Sequence, residues 1–199
     1  MSQQLLIGIL AVQGGVTEHV RVMENLGHAT RLVRRTEHLE GLDGIVLPGG
    51  ESTTMSRLLR LSGMIQPLRD AITGGLPAFG TCAGMIMLAD NVLDTREDAE
   101  SLGAIDVTVR RNAFGRQKDS FETSLDFTGI DRPVDAVFIR APQIEEVGAD
   151  VQVLAQVESA VVAARQDHVL VTSFHPELTE DHQVHEYFVQ MVREASTRV

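Results

Sequence analysis

The sequence predicts a three-layer α/β sandwich whose central sheet is mostly parallel and is extended by antiparallel strands. Two observations lead to this fold class. In the first half of the chain, continuously apolar runs of strand length alternate with segments of helical period, which is typical of parallel strands buried on both faces. After residue 104 the runs become shorter and alternate between apolar and polar residues, which is typical of antiparallel or mixed strands.

The first half begins with a strand at 5–12 (LLIGILAV), and the next segment carries apolar residues at helical spacing from Val16 to Leu26. Gly27 is expected to end that helix. The pattern then continues with strands at 29–33 and 44–48, helices at 54–61 and 64–72, a strand that ends at Phe79, and a helix at 83–90.

The second half predicts strands as far as residue 174 and then one helix. The strands are expected at 104–110, 120–127, 136–140, 151–157, 160–166 and 169–174. The final helix, 181–195, carries Val184, Phe188 and Met191 on one face, so we expect it to pack back onto the sheet. Because neither a repeat nor a long linker interrupts the chain, we expect a single domain over residues 1–199.

The composition restricts the class of protein. A formal net charge of −11 argues against nucleic acid or an anionic membrane as the main partner, because both bind clustered Lys and Arg. A small molecule or another protein remains. The lone cysteine cannot form an internal disulfide, the first residues carry no secretion signal, and the apolar runs are too short to span a membrane. We therefore expect a cytoplasmic protein.

Four loops directly follow predicted strands and are rich in Gly or in chemically active side chains. They are QGG (13–15), PGGES (48–52), GTCAG (80–84) and FHPE (174–177). Ligands of open α/β sheets bind at the carboxyl ends of the strands, so we expect these loops to converge on one site.

The lone cysteine, Cys82, lies on the third of these loops, between two glycines and just before a helix. Such a turn is expected to expose the thiol, and the unpaired N–H groups of the helix favour its thiolate. A lone cysteine out of context is more often an inert buried residue. The neighbouring loops favour a nucleophile, since a reactive cysteine needs a base, a group that orients the base, and oxyanion donors.

Each of these groups has a candidate in the sequence. His175 ends a strong strand at the predicted functional edge, and Glu177 is close enough to accept its imidazole N–H. The backbone N–H of Ala83 starts the helix after the thiol, and Gly50 on a second loop would supply the other oxyanion donor.

Six segments resemble the glutaminase subunits of pyridoxal 5'-phosphate synthases, which are triad (class I) glutamine amidotransferases. They are LAVQGGVTEH (10–19), LPGGESTTM (47–55), FGTCAG (79–84), RNAFGRQKDSFE (111–122), VFIRAP (137–142) and SFHPELTED (173–181). The resemblance covers nearly the whole chain, in order. It implies a flavodoxin-like class I amidotransferase fold and the hydrolysis of glutamine to glutamate and ammonia, with neither a cofactor nor a metal.

By position, the resemblance makes Cys82 the nucleophile, His175 the general base and acid, and Glu177 the residue that orients it. It places the glutamine contacts on Gly50, Glu51, Ser52, Arg111, Ile139 and Arg140. It also implies that ammonia passes to a barrel-type synthase subunit in a hetero-oligomeric complex, with Gln13 near its route.

The alternating pattern of its strand gives a separate reason to expect Arg111 to bind an acidic group. Arg111 follows Val107 and Val109 on one face, so a cation lies just beyond a buried apolar row. An arginine there suits a carboxylate ligand or a structural acidic partner.

Other functions stay open at this point. The chain could serve another biosynthetic pathway as its amidotransferase subunit, act as a cysteine-based redox or stress protein, or be a non-catalytic scaffold. The redox reading leaves the HPE segment unexplained, and a scaffold is expected to have lost a triad member. His182 and His185 could suggest a metal site, but they lack the usual ligand spacing and are expected on a solvated helix face.

Overall fold

The computed structural model describes residues 3–111 and 120–197. The strands of this part are β1 Leu6–Leu10, β2 Ala29–Val33, β3 Gly44–Leu47, β4 Ala78–Thr81, β5 Ala89–Leu93, β6 Ile105–Arg110, β7 Ser120–Leu125, β8 Val134–Ile139, β9 Gln143–Val147, β10 Gln152–Val157, β11 Ala160–Gln166 and β12 Val169–Thr172. The helices are α1 Val16–Asn25, α2 Ser52–Leu61, α3 Ile65–Thr73, α4 Ala83–Leu88 and α5 Gln183–Ser196, with short 3-10 turns at Thr36–Leu39 and Pro176–Leu178.

Within the described residues, ten strands form one sheet in the order β2-β1-β3-β4-β12-β11-β9-β6-β5, with β10 paired to β11. The first five strands of this order run parallel. From β12 outward the pairing is antiparallel through β11, β9 and β6, and β5 then lies parallel to β6. The predicted fold class, a parallel sheet extended by antiparallel strands, is confirmed.

The sheet separates two apolar cores, because successive side chains of a strand point to opposite faces. On β3, Ile45 and Leu47 belong to one core and Val46 to the other. Helices α2, α3 and α4 cover the first face, whereas α1 and α5 cover the second. These two helical layers and the sheet between them make up the predicted sandwich.

Three features differ from the sequence prediction. Strands β7 and β8 form a separate hairpin instead of extending the main sheet. There Phe121 stacks on Phe138 with ring centroids 4.5 Å apart, and Phe138 faces Phe174, so side-chain packing docks the hairpin on the α5 side. Helix α4 ends earlier than expected, because Ala89 already belongs to β5. Strands β5 and β9 were not predicted, since their exposed Asp and Glu residues interrupt the apolar pattern.

Among the helices of the described residues, none combines the length and the apolar character that crossing a bilayer requires.

Candidate active site

A cavity of about 560 Å³ opens where the parallel strands β1, β3, β4 and β12 end. The four loops predicted to converge all contribute to its wall. Every site residue proposed from the sequence lines it: Gly50, Glu51, Ser52, Cys82, Ala83, Arg111, Ile139, Arg140, His175 and Glu177. The structure therefore brings together residues that lie far apart along the chain.

Cys82 lies at the turn between β4 and α4 with φ 50° and ψ −105°, a backbone conformation that residues other than glycine seldom adopt. The backbone N–H of Cys82 donates to the carbonyl of Thr172 over 2.8 Å, and this hydrogen bond fixes the turn against β12. The residue is only 7% exposed. The expectation of an exposed thiol was wrong, because the cavity wall encloses it.

The glycines that flank this turn are required by close packing. A Cβ atom at Gly84 would lie 1.9 Å from the carbonyl oxygen of Leu47, and one at Gly80 would lie 2.5 Å from the carbonyl oxygen of Gly84. Helix α4 can therefore start directly behind the thiol, with the backbone N–H of Ala83 at its first position.

His175 and Glu177 form a tight pair beside the thiol. His175 Nδ1–H donates to Glu177 Oε1 over 2.7 Å, and the two side chains are 12% and 1% exposed. Burial by itself lowers the pKa of His175, but its contacts with Cys82 and Glu177 raise that pKa to about 10. At neutral pH the imidazole is therefore protonated and lies between the sulfur and a carboxylate.

Gly49 makes this arrangement possible from the opposite wall. A Cβ atom there would lie 2.4 Å from Cε1 of His175 and 3.4 Å from Cβ of Cys82. Only a residue without a side chain allows the loop after β3 to approach the imidazole this closely.

A second group of polar residues lies behind Glu177 and was not predicted. His19 on α1 is fully buried, with Nε2 3.6 Å from Glu177 Oε2 and 3.3 Å from Thr81 Oγ1. Its Nδ1 lies 2.9 Å from Nε2 of His185, which is also fully buried. The expectation that His185 lies on a solvated face was wrong, because α5 turns this residue toward α1. His182, by contrast, is half-buried at the start of α5.

Sequence spacing could have revealed both buried histidines. His19 lies between Val16 and Met23 at helical spacing, on the apolar face of α1, and His185 precedes Phe188 by three residues on the apolar face of α5. A histidine on an apolar helix face needs a polar partner inside the fold.

Glu51 fixes the loop between β3 and α2. Its carboxylate caps α2 by accepting hydrogen bonds from the backbone N–H and the hydroxyl group of both Thr53 and Thr54. Burial raises the pKa of Glu51, but the hydrogen bonds from these threonines outweigh it and lower the pKa to about 2. Arg111 donates to the same carboxylate over 3.2 Å, so the acidic partner expected for Arg111 is Glu51.

The remaining candidates form the rim of the cavity. Gln13 accepts the backbone N–H of Glu51 over 2.8 Å and thereby holds the loop after β1 to the loop after β3. Ile139 is the last residue of β8, and Arg140 follows it with a φ of 44°. The backbone N–H of His175 donates to the carbonyl of Val137 over 2.8 Å, which joins this rim to the loop after β12.

Part of the fourth segment of the resemblance, residues 112–119 (NAFGRQKD), lies outside the described residues. Within the ranges 3–111 and 120–197, no group of three or more His, Cys, Asp or Glu side chains could hold a metal ion.

Comparison with known proteins identifies the family. The SNO glutamine amidotransferase family matches residues 9–194. The chain belongs to this family. A pyridoxal 5'-phosphate synthase subunit PdxT from Corynebacterium jeikeium is 64% identical over 96% of this chain and 98% of its own length. The PdxT protein of Mycobacteroides abscessus is 58% identical over 94% and 97% of the two chains.

Solved structures place this SNO-family chain among glutamine amidotransferases. A crystal structure of a glutamine amidotransferase, 44% identical, superposes with a TM-score of 0.89 over 94% of this chain and 98% of its own. A glutamine amidotransferase from Thermotoga maritima is only 10% identical but has a TM-score of 0.63 over 99% and 86% of the two chains, which shows a shared fold. The class I amidotransferase fold expected from the resemblance is thus confirmed.

Proposed function

We propose that this chain is the glutaminase subunit of a pyridoxal 5'-phosphate synthase. It hydrolyses L-glutamine to L-glutamate and ammonia with Cys82, His175 and Glu177 as its catalytic triad. The observation that carries the assignment of the triad is the enclosed thiol at a left-handed turn, next to an imidazole that Glu177 orients over 2.7 Å. The family match across residues 9–194 supports a single domain over the whole chain.

The first half of the reaction uses Cys82 as the nucleophile and the protonated imidazole of His175 as the acid. The Cys82 thiolate attacks the side-chain amide carbon of glutamine, and the backbone N–H groups of Gly50 and Ala83 stabilise the resulting oxyanion. When the tetrahedral intermediate collapses, the C–N bond breaks and His175 gives its proton to the leaving nitrogen, which departs as ammonia. The products are a glutamyl thioester on Cys82 and a neutral His175.

The second half restores the enzyme. Neutral His175 takes a proton from a water molecule that attacks the thioester carbon, and the C–S bond then breaks. Glutamate leaves, and the thiolate and the imidazolium are present again. Glu177 keeps its charge throughout and stabilises the imidazolium in both halves.

Six residues of the cavity wall are proposed to bind the amino acid part of glutamine. The proposed contacts are the backbone of Gly50 and Ile139 and the side chains of Glu51, Ser52, Arg111 and Arg140, which line the same cavity as the thiol. Glu51 suits the α-ammonium group, while the guanidinium groups of Arg111 and Arg140 suit the α-carboxylate. Since Glu51 and Arg111 already contact each other, the two groups are oriented before the substrate arrives.

A barrel-type synthase subunit is proposed as the partner that receives the ammonia. Large apolar side chains are exposed at the rim of the cavity, where Ile139 is 40% and Leu178 is 46% exposed. Exposed apolar groups beside a cavity are typical of a surface that another protein covers. Such a cover would direct the ammonia into the partner and away from solvent.

The proposal is tested by measuring glutamate release by the purified chain, alone and with the synthase subunit from the same organism. We expect release that the partner stimulates and that Cys82→Ala abolishes. Cys82→Ala removes only the sulfur atom, and we expect the variant to fold. Its unfolding temperature, compared with that of the wild type, is the control for this. Partner-stimulated release that survives this substitution would contradict the assigned nucleophile.

A further inference from the structure

His19 is a fully buried polar side chain that contacts the proposed triad and has no role in the reaction described above. It belongs to α1, which contributes no triad member. Its Nε2 atom lies 3.6 Å from Oε2 of Glu177, the oxygen that His175 does not use.

That oxygen is otherwise unsatisfied. Across the described ranges 3–111 and 120–197, Oε2 of Glu177 has no hydrogen-bond partner, although it is fully enclosed. A buried carboxylate oxygen without a donor destabilises the ionised form and favours its protonation. His19 faces this oxygen with Nε2 at 3.6 Å, and an N–H group there would favour the ionised carboxylate.

The histidine pair determines which nitrogen of His19 carries the proton. Burial lowers the pKa of His19 despite the opposing charge of Glu177, and it lowers the pKa of His185 well below its usual value. Both rings are therefore neutral, with one N–H each. The charged or titratable groups that face them are Glu177, His175 and Glu18 around His19, and His182 near His185.

One arrangement of these two protons avoids a buried donor without an acceptor. The Nδ1 atom of His185 has no partner within the described part of the chain, so a proton there would be an orphaned donor, which folded proteins avoid more strictly than an orphaned acceptor. The proton of His185 therefore lies on Nε2 and is donated to Nδ1 of His19 over 2.9 Å. His19 then carries its own proton on Nε2, which faces Thr81 Oγ1 and Glu177 Oε2.

We propose that His19 is a positioning residue of the triad, whose Nε2–H keeps Glu177 ionised and oriented toward His175. His185 acts through His19 by selecting the tautomer that points a donor at the carboxylate. The inference rests on the proposed function, because it assigns His19 a part in the same glutaminase reaction. It extends the triad by a residue from the opposite end of the chain.

The kinetic test compares three variants in the complex with the synthase subunit. His19→Leu removes the donor, so we expect kcat to fall about tenfold, since an unsatisfied buried group costs about 1.4 kcal/mol or more. KM for glutamine should change little, and the acid limb of the kcat/KM profile should move to higher pH, because Glu177 then binds a proton more readily. His19→Gln, whose amide nitrogen can occupy the position of Nε2, should restore most of both effects.

Met23→Ala is the matched control, because Met23 is fully buried on the same helix, one turn beyond His19. We expect it to lower the unfolding temperature and to leave the acid limb in place. An unchanged kcat and acid limb in His19→Leu, or equal changes in Met23→Ala, would overturn the positioning role.

A second measurement does not depend on activity. In ¹⁵N-histidine NMR of the resting protein at neutral pH, we expect His19 to show a protonated Nε2 and an unprotonated Nδ1. A proton on Nδ1, or on both nitrogens, would overturn the inference. If the proposed function is wrong, the result is different: the wild-type complex would release no glutamate that depends on Cys82. The NMR measurement would still show which nitrogen of His19 carries the proton.

Discussion

Substituting Gly49 by alanine should test whether catalysis depends on the close approach of the loop after β3 to His175. The added methyl group would lie 2.4 Å from Cε1 of His175 and 2.9 Å from its Nδ1. An ordinary contact between carbon atoms is about 3.5 Å, so the imidazole has to move by about 1 Å. It cannot move freely, because Glu177 and the carbonyl of Val137 both hold this residue through hydrogen bonds.

The expected result is a loss of about a hundredfold in kcat, which is the order of effect that a displacement of about 1 Å has on an aligned catalytic group. Overpacking should lower the free energy of unfolding by about 1–3 kcal/mol. Glutamate release by the complex with the synthase subunit measures the first effect, and urea unfolding measures the second.

Gly15→Ala is the matched control for this substitution. Gly15 lines the same cavity, but a Cβ atom there meets Glu18 at 3.5 Å and Glu177 at 3.6 Å, which are ordinary contacts. We expect it to retain far more activity than Gly49→Ala. If Gly49→Ala keeps the wild-type kcat, or if both substitutions reduce kcat equally, the reasoning from close approach to His175 is refuted.

Two further predictions concern charged groups of the site. Glu51→Gln weakens the cap of α2 and should lower the free energy of unfolding by about 1 kcal/mol near neutral pH. Because the pKa of Glu51 is lowered to about 2, the difference in stability between the variant and the wild type should shrink as the pH falls from about 4.5 through 2. If urea unfolding shows the same difference at every pH, the capping role of the Glu51 carboxylate is contradicted. The pKa of His175 is raised from 6.5 to about 10, so its contribution to stability is complete below pH 6.5 and is lost as the pH rises through 10. The wild type should therefore lose more stability than His175→Asn between pH 6.5 and 10, and parallel curves would argue against the charged imidazole.

The sequence allowed the central elements of the fold and the proposed triad to be predicted because their signals are local. Cys82 is marked by its flanking glycines, and the HPE segment carries His175 and Glu177 within three residues. The central parallel strands β1, β3, β4 and β12 are mostly apolar and buried, so their order along the chain could be read directly.

Features that depend on distant parts of the chain could not be predicted in this way. The role of His19 depends on packing between α1 and α5, which are the first and last helices described. The separate β7–β8 hairpin has the same alternating pattern as a sheet strand, and its docking depends on contacts with distant residues, such as that of its Phe138 with Phe174. The enclosure of Cys82 likewise results from loops that four different strands supply.

The backbone of Cys82 has a thermodynamic consequence for the whole chain. A residue other than glycine in such a conformation destabilises a fold by about 1–3 kcal/mol, out of a total stability of about 5–15 kcal/mol. Glycine at this position would relieve that strain and remove the sulfur at the same time. Selection for thermal tolerance alone therefore acts against the nucleophile, and the two cores on either side of the sheet must supply the stability that the reactive turn lacks.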